Sequence, residues 1–232
     1  VKALLDGLGQ EEQAISRYQG FVRVRGRGPD GGFDAKLVVI FRRPSELRVE
    51  LLGAFGGTRW VAVAGASGII AYFPGRREYL KEEDTPEVVG RLLGLRLAPE
   101  EVMAVLSGVG LPLASLPEAV GERRGALSFL DHAGHHLEVG ADGQVDRARA
   151  SAYRVSYPTR WKSRGRQVPD QVELSNDTIR ATLTAEDVDV NAPVDPEAFL
   201  LDVPSGAVRL RPAQIEGEAV FVVEKKPGDE RR

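Results

Sequence analysis

The chain has 232 residues, 42% hydrophobic and 28% charged, a balance that suits a globular core and excludes disorder as its general state. With 31 Lys and Arg against 34 Asp and Glu, the formal charge is only −3, so no global field favours nucleic acid as a partner. Cysteine is absent, which removes disulfide scaffolds, thiol catalysis and zinc fingers, and 26 glycines with 14 prolines favour many turns and short strands over a helical bundle.

The only methionine is Met103, so a segment upstream of Val1 is expected to have been removed. No apolar run reaches the roughly 20 residues that a membrane-spanning helix needs. Over residues 1–16, Leu4, Leu5, Leu8 and Ile15 fall near one helical face, which predicts an amphipathic helix weakened by Gly7 and Gly9. From Tyr18 the period changes to two. Val22 and Val24 alternate with arginines, Gly28-Pro29-Asp30-Gly31-Gly32 turns the chain, and Phe33–Phe41 returns as a strand. Further strands are expected at Leu47–Leu51, Trp60–Ala64 and Ile69–Phe73, completing a five-stranded meander. The loop Gly53-Ala54-Phe55-Gly56-Gly57 within it carries one large aromatic, an unusual residue for an exposed loop tip.

Thr85-Pro86-Glu87 starts a helix that ends near Gly94, and Pro99-Glu100-Glu101 starts another that ends near Gly108. Strands resume around Ala126–Leu130, His136–Val139 and Arg147–Tyr157, then Val168–Ser175 and Ile179–Val190; the charged stretch 225–232 reads as a mobile tail. No linker or repeat divides the chain, so residues 1–232 are expected to form one domain. Ten or eleven strands with two inserted helices predict a mainly β, α+β architecture: a large curved antiparallel sheet or unclosed barrel, with the helices 85–109 as a lid over an apolar cavity.

Catalytic signatures fail one by one. Ser67 in Gly65-Ala66-Ser67-Gly68-Ile69 falls one residue short of a nucleophile elbow and lies between two strands. His132, His135 and His136 cluster beside Asp131, but adjacent His135 and His136 would point to opposite faces of a strand, so neither metal nor cofactor is expected. The glycine clusters open no helix and precede no Gly-Lys-Ser/Thr, which argues against nucleotides. Arg160, Lys162, Arg164 and Arg166 surround Trp161, the pattern of a solvated hairpin or of a contact with anionic head groups.

Four stretches in order carry a likeness to a known family: Ile15-Ser16-Arg17-Tyr18-Gln19-Gly20, Phe41-Arg42-Arg43-Pro44-Ser45-Glu46-Leu47-Arg48-Val49-Glu50, Leu95-Arg96-Leu97-Ala98-Pro99-Glu100-Glu101, and Pro196-Glu197-Ala198-Phe199-Leu200-Leu201-Asp202-Val203-Pro204-Ser205-Gly206. In these the chain resembles the LolA/LolB lipoprotein-carrier superfamily, and its outer-membrane receptor branch best. The resemblance implies that Arg43, in an Arg-Pro step, contacts the lid, and that Leu47 stands where the family has a cavity aromatic. It also implies that Phe55 is the tip of a membrane-insertion loop, and that a lipidated N-terminal cysteine precedes the chain.

The implied function is non-enzymatic: holding lipoprotein acyl chains in the cavity and passing them to the outer membrane from the bacterial periplasm, as a monomer. Its partners would be a lipid or lipoprotein, a membrane surface and a periplasmic carrier protein. A sterol, hopanoid or glycolipid shuttle and a ligand-free structural envelope lipoprotein are the alternatives. The cavity is expected between Leu92, Val102, Val105 and Leu106 of the two helices and Leu47, Val49, Leu51, Trp60, Ile70 and Tyr72 of the strands. Burying a methylene gains about 0.8 kcal/mol, so an acyl-chain carrier needs little polar recognition and few motifs.

Overall fold

A computed structural model describes residues 1–29, 31–53, 56–83, 88, 92, 97–116 and 118–211. The chain starts as helix α1 (Lys2–Ala14) and runs into a meander of strands β1 (Arg17–Gly28), β2 (Gly31–Arg42), β3 (Glu46–Leu52), β4 (Thr58–Gly65), β5 (Gly68–Phe73) and β6 (Glu78–Glu82). Helix α2 (Pro99–Ser107) follows. A second meander comprises β7 (Val120–Arg124), β8 (Leu127–His132), β9 (His135–Val139), β10 (Val145–Arg149), β11 (Arg154–Ser163), β12 (Arg166–Ser175) and β13 (Arg180–Val190). The short strand β14 (Val208–Arg209) comes last.

The two meanders join into one 14-stranded sheet because β13 pairs antiparallel with β1, from Tyr18 opposite Val190 to Arg27 opposite Arg180. The sheet stays unclosed, with β7 at one edge and β14 at the other. Every pairing is antiparallel except that of β14 with β6. The expected curved, mainly β architecture is therefore present, with more strands than the periodicity disclosed. Strand β6 carries one inward apolar residue, Leu80, and β7 is exposed at all five positions, so neither shows an alternating signal. The expected strand Arg147–Tyr157 is two strands, β10 and β11, joined by a turn in which the Ala150 N–H donates to the Tyr153 carbonyl at 2.9 Å. That turn contains neither Gly nor Pro and so carried no punctuation.

The core lies on the inner face of the curve. Tyr18 stacks on Phe41 with ring centroids 5.3 Å apart, and inward residues of β1–β6 and β9–β13 form one continuous buried cluster. Helix α2 plugs this concavity. Pro99 and every residue from Val102 to Ser107 are buried, as expected of a helix that meets apolar surface on most of its sides. Its stop is Gly108, at φ 86°, where a Cβ would come within 2.5 Å of Arg160 and 3.1 Å of Pro169.

After β13 the chain crosses the outer face. A 3₁₀ turn at Pro196–Phe199, capped by the Asp195 side chain, packs over β3 and β4 before the chain reaches β6. Arg48 Nη1 donates to the Ala198 carbonyl at 3.0 Å and fixes this strap. No helix among the described residues is long and apolar enough to cross a membrane.

Candidate functional site

The inner face of β3–β5 is a grid of apolar side chains set by register. Leu47, Val49 and Leu51 stand opposite Ala64, Ala62 and Trp60, which in turn face Ile69 and Ala71 through Ala64 and Ala62. Alanines leave a shallow trough between the larger residues. Leu92, helical and 1% exposed, closes over it, leaving a cleft of about 20 Å³ lined by Leu47, Val49, Trp60, Ala62, Ala64, Ile69 and Leu92. That volume is about enough for one water molecule. Trp60, 1% exposed, keeps its Nε1–H buried with no hydrogen-bond partner among the described residues.

Of the expected cavity residues, Leu47, Val49, Trp60 and Leu92 meet at this cleft, and Leu51 extends the same inward row of β3. Val102, Val105 and Leu106 are buried in α2. Ile70 and Tyr72 are not part of it. They stand opposite Val63 and Val61 on the outer face of the sheet, while the inward positions of β5 are Ile69, Ala71 and Phe73. The error is one of parity: a strand apolar on both faces offers no contrast to tell them apart. Val61 and Val63 are 5% and 6% exposed on the face where the C-terminal strap packs.

Arg43 occupies the centre of a buried polar cluster at one end of α2. Its Nε donates to the Ile15 carbonyl at 3.1 Å, its Nη1 to Glu12 Oε1 at 3.3 Å, and its Nη2 to Ser107 Oγ at 3.1 Å. Ser107 Oγ in turn donates to the Met103 carbonyl at 2.7 Å. Burial pushes the Arg43 guanidinium pKa down, and the Glu12 carboxylate opposes that shift. One side chain thus ties α1 and β2 to the last residue of α2.

Three further bonds hold the same helix end to the other meander. Tyr157 donates to the Val105 carbonyl at 2.9 Å, Tyr153 to the Gly110 carbonyl at 3.0 Å, and Arg160 Nη2 to the Gly108 carbonyl at 3.2 Å. The Arg160 cation caps a helix C-terminus, where the backbone dipole favours positive charge. At the other end, Glu101 accepts the Ala98 N–H at 2.7 Å, and burial pushes its carboxyl pKa up. Sequence reasoning missed Glu12, Ser107, Tyr153 and Tyr157 and took Arg160 for a solvated hairpin cation. Its neighbours Trp161, Lys162, Arg164 and Arg166 are exposed, Trp161 at 37%.

His136 Nδ1 lies 2.8 Å from Asp131 Oδ1, and His132 stands opposite His135 in the β8–β9 hairpin. No group of three potential metal ligands occurs among the described residues. Phe55, most of the helix expected at 86–94 and the tail 225–232 lie outside the described residues.

No family model matches this sequence, nor does any curated protein sequence. Solved structures do match in three dimensions. A DUF1329 family protein from Desulfovibrio piger aligns with a TM-score of 0.59 at 9% identity, over 86% of this chain and 97% of its own. A LolA superfamily protein from Nitrosomonas europaea aligns equally well at 11% identity, over 86% and 97% of the two chains, with a TM-score of 0.59. A candidate outer membrane lipoprotein-sorting protein domain from Vibrio parahaemolyticus gives 0.59 at 8% identity, over 84% and 95%. Identities this low speak for architecture alone, and on that evidence the chain has the open-barrel fold of the LolA superfamily.

Proposed function

We propose that this chain is a non-enzymatic carrier, a single-domain monomer that holds the acyl chain of a lipoprotein or another lipid between α2 and the inner face of β3–β5. The observation that carries this reading is the cleft itself: an apolar trough roofed by Leu92, beside a helix α2 that packs on β3 and that polar side chains pin at one end. An acyl chain of a dozen carbons gains on the order of 10 kcal/mol on leaving water, at about 0.8 kcal/mol per methylene. Unseating α2 breaks its four side-chain bonds, at roughly 4–8 kcal/mol together. An ester or amide carbonyl at the head of the chain is the acceptor that the Trp60 N–H lacks.

The fold's likeness to LolA superfamily and lipoprotein-sorting proteins supports a place in the bacterial envelope, with the periplasm as the compartment and a lipidated N-terminus as the anchor. Phe55 would be the element that meets the outer membrane, in the manner of a receptor that takes cargo from a periplasmic carrier. One observation favours a second reading, a structural envelope protein without ligand: the closed cleft is only about 20 Å³. Titration with an environment-sensitive fatty-acid probe, with native mass spectrometry of gently purified protein, separates the two. A carrier binds the probe at micromolar concentration and retains lipid adducts; a filled structural core does neither.

A further inference from the structure

The outer face of the β9–β13 half, opposite the face that holds α2, carries a groove of about 710 Å³ lined by five arginines, Arg25, Arg147, Arg149, Arg154 and Arg180, against two acids, Glu138 and Glu173. Register places these arginines in two cross-strand rows. In one row Arg27 stands opposite Arg180 and, beyond Ser175, Arg154 stands opposite Arg149. The adjacent outward row is mixed in charge: it runs from Arg25 through Thr182, Glu173 and Ser156 to Arg147 and Glu138. Like charges directly opposite on neighbouring strands repel, so two such pairs on one row oppose folding unless an anion lies between them.

The protein's own acids answer only part of this charge. Arg25 pairs with Asp34 at 3.1 Å and Arg147 with Glu138 at 3.2 Å, Arg154 reaches the fully solvated Asp177 only at 3.8 Å, and Glu173, inside the groove, accepts from Ser156 Oγ at 2.8 Å. Arg149 and Arg180, both exposed, have no acid or hydrogen-bond partner among the described residues. A chain with a formal charge of −3 thus gathers five arginines against two acids in one groove of its outer face.

We propose that this groove binds phosphate groups, one at the facing Arg149–Arg154 pair and one at Arg180. Guanidinium forks bind phosphate oxygens in parallel, and both a phosphodiester and a terminal phosphate offer two unsubstituted oxygens to a facing pair of arginines. Two to three strand spacings separate Arg180 from the Arg149–Arg154 pair, about 10–15 Å, so a surface of phosphates spaced on that order fills both, while a compact oligophosphate fills one. Packed phospholipid head groups and a soluble oligophosphate both have this chemistry. The proposal does not rest on the carrier reading, because the groove and the cleft lie on opposite faces of the sheet.

The test is sedimentation of the protein with phosphatidylglycerol vesicles and, separately, calorimetric titration with tripolyphosphate. The variant pair is Arg149→Gln/Arg180→Gln against Lys162→Gln/Arg166→Gln, which removes equal charge at the Trp161 hairpin. Vesicle binding that the groove variant weakens roughly thirtyfold, that tripolyphosphate competes away and that high salt reverses, supports the proposal with a membrane as the source. Tripolyphosphate binding lost in the groove variant, without vesicle binding, supports it with a soluble source. Binding of neither, equal binding by the groove variant, loss only in the hairpin variant, or displacement by polyglutamate as effective as by tripolyphosphate would each overturn it. Both variants remove exposed charges, so neither should melt below the parent, and the groove variant, relieved of the facing pairs, should melt at or slightly above it. Fatty-acid probe binding on the same samples reports the cleft independently.

Discussion

Replacing Ser107 by alanine tests whether α2 is latched as the geometry implies. Ser107 is 5% exposed; its hydroxyl accepts from the Arg43 guanidinium at 3.1 Å and donates to the Met103 carbonyl at 2.7 Å. Removing Arg43 instead would strand Glu12, whose side chain is 9% exposed, as a buried charge without its cation, and cost about 3–5 kcal/mol across the whole fold. Ser107→Ala is milder. Arg43 keeps Glu12 and the Ile15 carbonyl, and the loss is that of a hydrogen bond to a charged group, about 1.5–3 kcal/mol. Because the bond exists only while α2 is seated, the loss falls on the opening of the helix, and the open population should rise roughly ten- to hundredfold. Amide hydrogen exchange is the assay. Protection across residues 102–107 should fall by that factor while β1 and β2 keep theirs, and fatty-acid probe uptake should quicken. Unchanged protection in α2, or an equal fall throughout the sheet, would refute the latch.

Leu92→Ala removes the roof of the cleft, where Leu92 is 1% exposed; it should cost about 2–5 kcal/mol of stability yet raise probe affinity. A lower melting temperature with unchanged probe affinity would make Leu92 a packing residue only. Glu101→Gln keeps an acceptor for the Ala98 N–H and removes a charge that burial disfavours. The folded-state pKa of Glu101 lies above the ordinary value of 4.5, so its cost is full above the folded pKa and absent below the unfolded one. The variant should therefore be more stable than the parent in neutral urea titrations, with the gain vanishing as the pH falls below 4.5; a gain independent of pH would contradict this. Phe55→Glu should leave folding and probe binding nearly intact while slowing transfer of lipid cargo to vesicles. A drop of many degrees in melting temperature would place Phe55 in the core instead.

What the sequence disclosed follows from where contrast exists. Strands β1–β3 alternate inward Val22, Val24, Leu47 and Val49 with outward charges, and the change from a helical period to a period of two at Tyr18 marked the first boundary. In β4 and β5 that contrast disappears, because the chain that follows β13 covers the outer face, and Ile70 and Tyr72 are as apolar as their inward neighbours. Nothing local records that strap. The latch was hidden for a related reason: Arg43 finds Glu12 and Ser107 across 31 and 64 residues, and Arg160 finds Gly108 across 52. Each of these side chains reads locally as an ordinary surface polar residue, and only the closing of β13 onto β1 brings the two meanders around α2. The groove arginines are the same effect on the outer face, since they lie on four strands and meet only through register.

Photocrosslinking tests the carrier reading most directly. A fatty acid bearing a diazirine near its terminal methyl, irradiated in complex with the protein and mapped by peptide mass spectrometry, reports which residues surround the chain. Adducts on β3–β5 at Leu47, Val49, Trp60 or Ile69 and on α2 at Val102–Leu106, competed away by unlabelled fatty acid, are the expected result. Adducts confined to the outer face, or none above background at concentrations where the probe binds, would contradict an acyl chain held beneath α2.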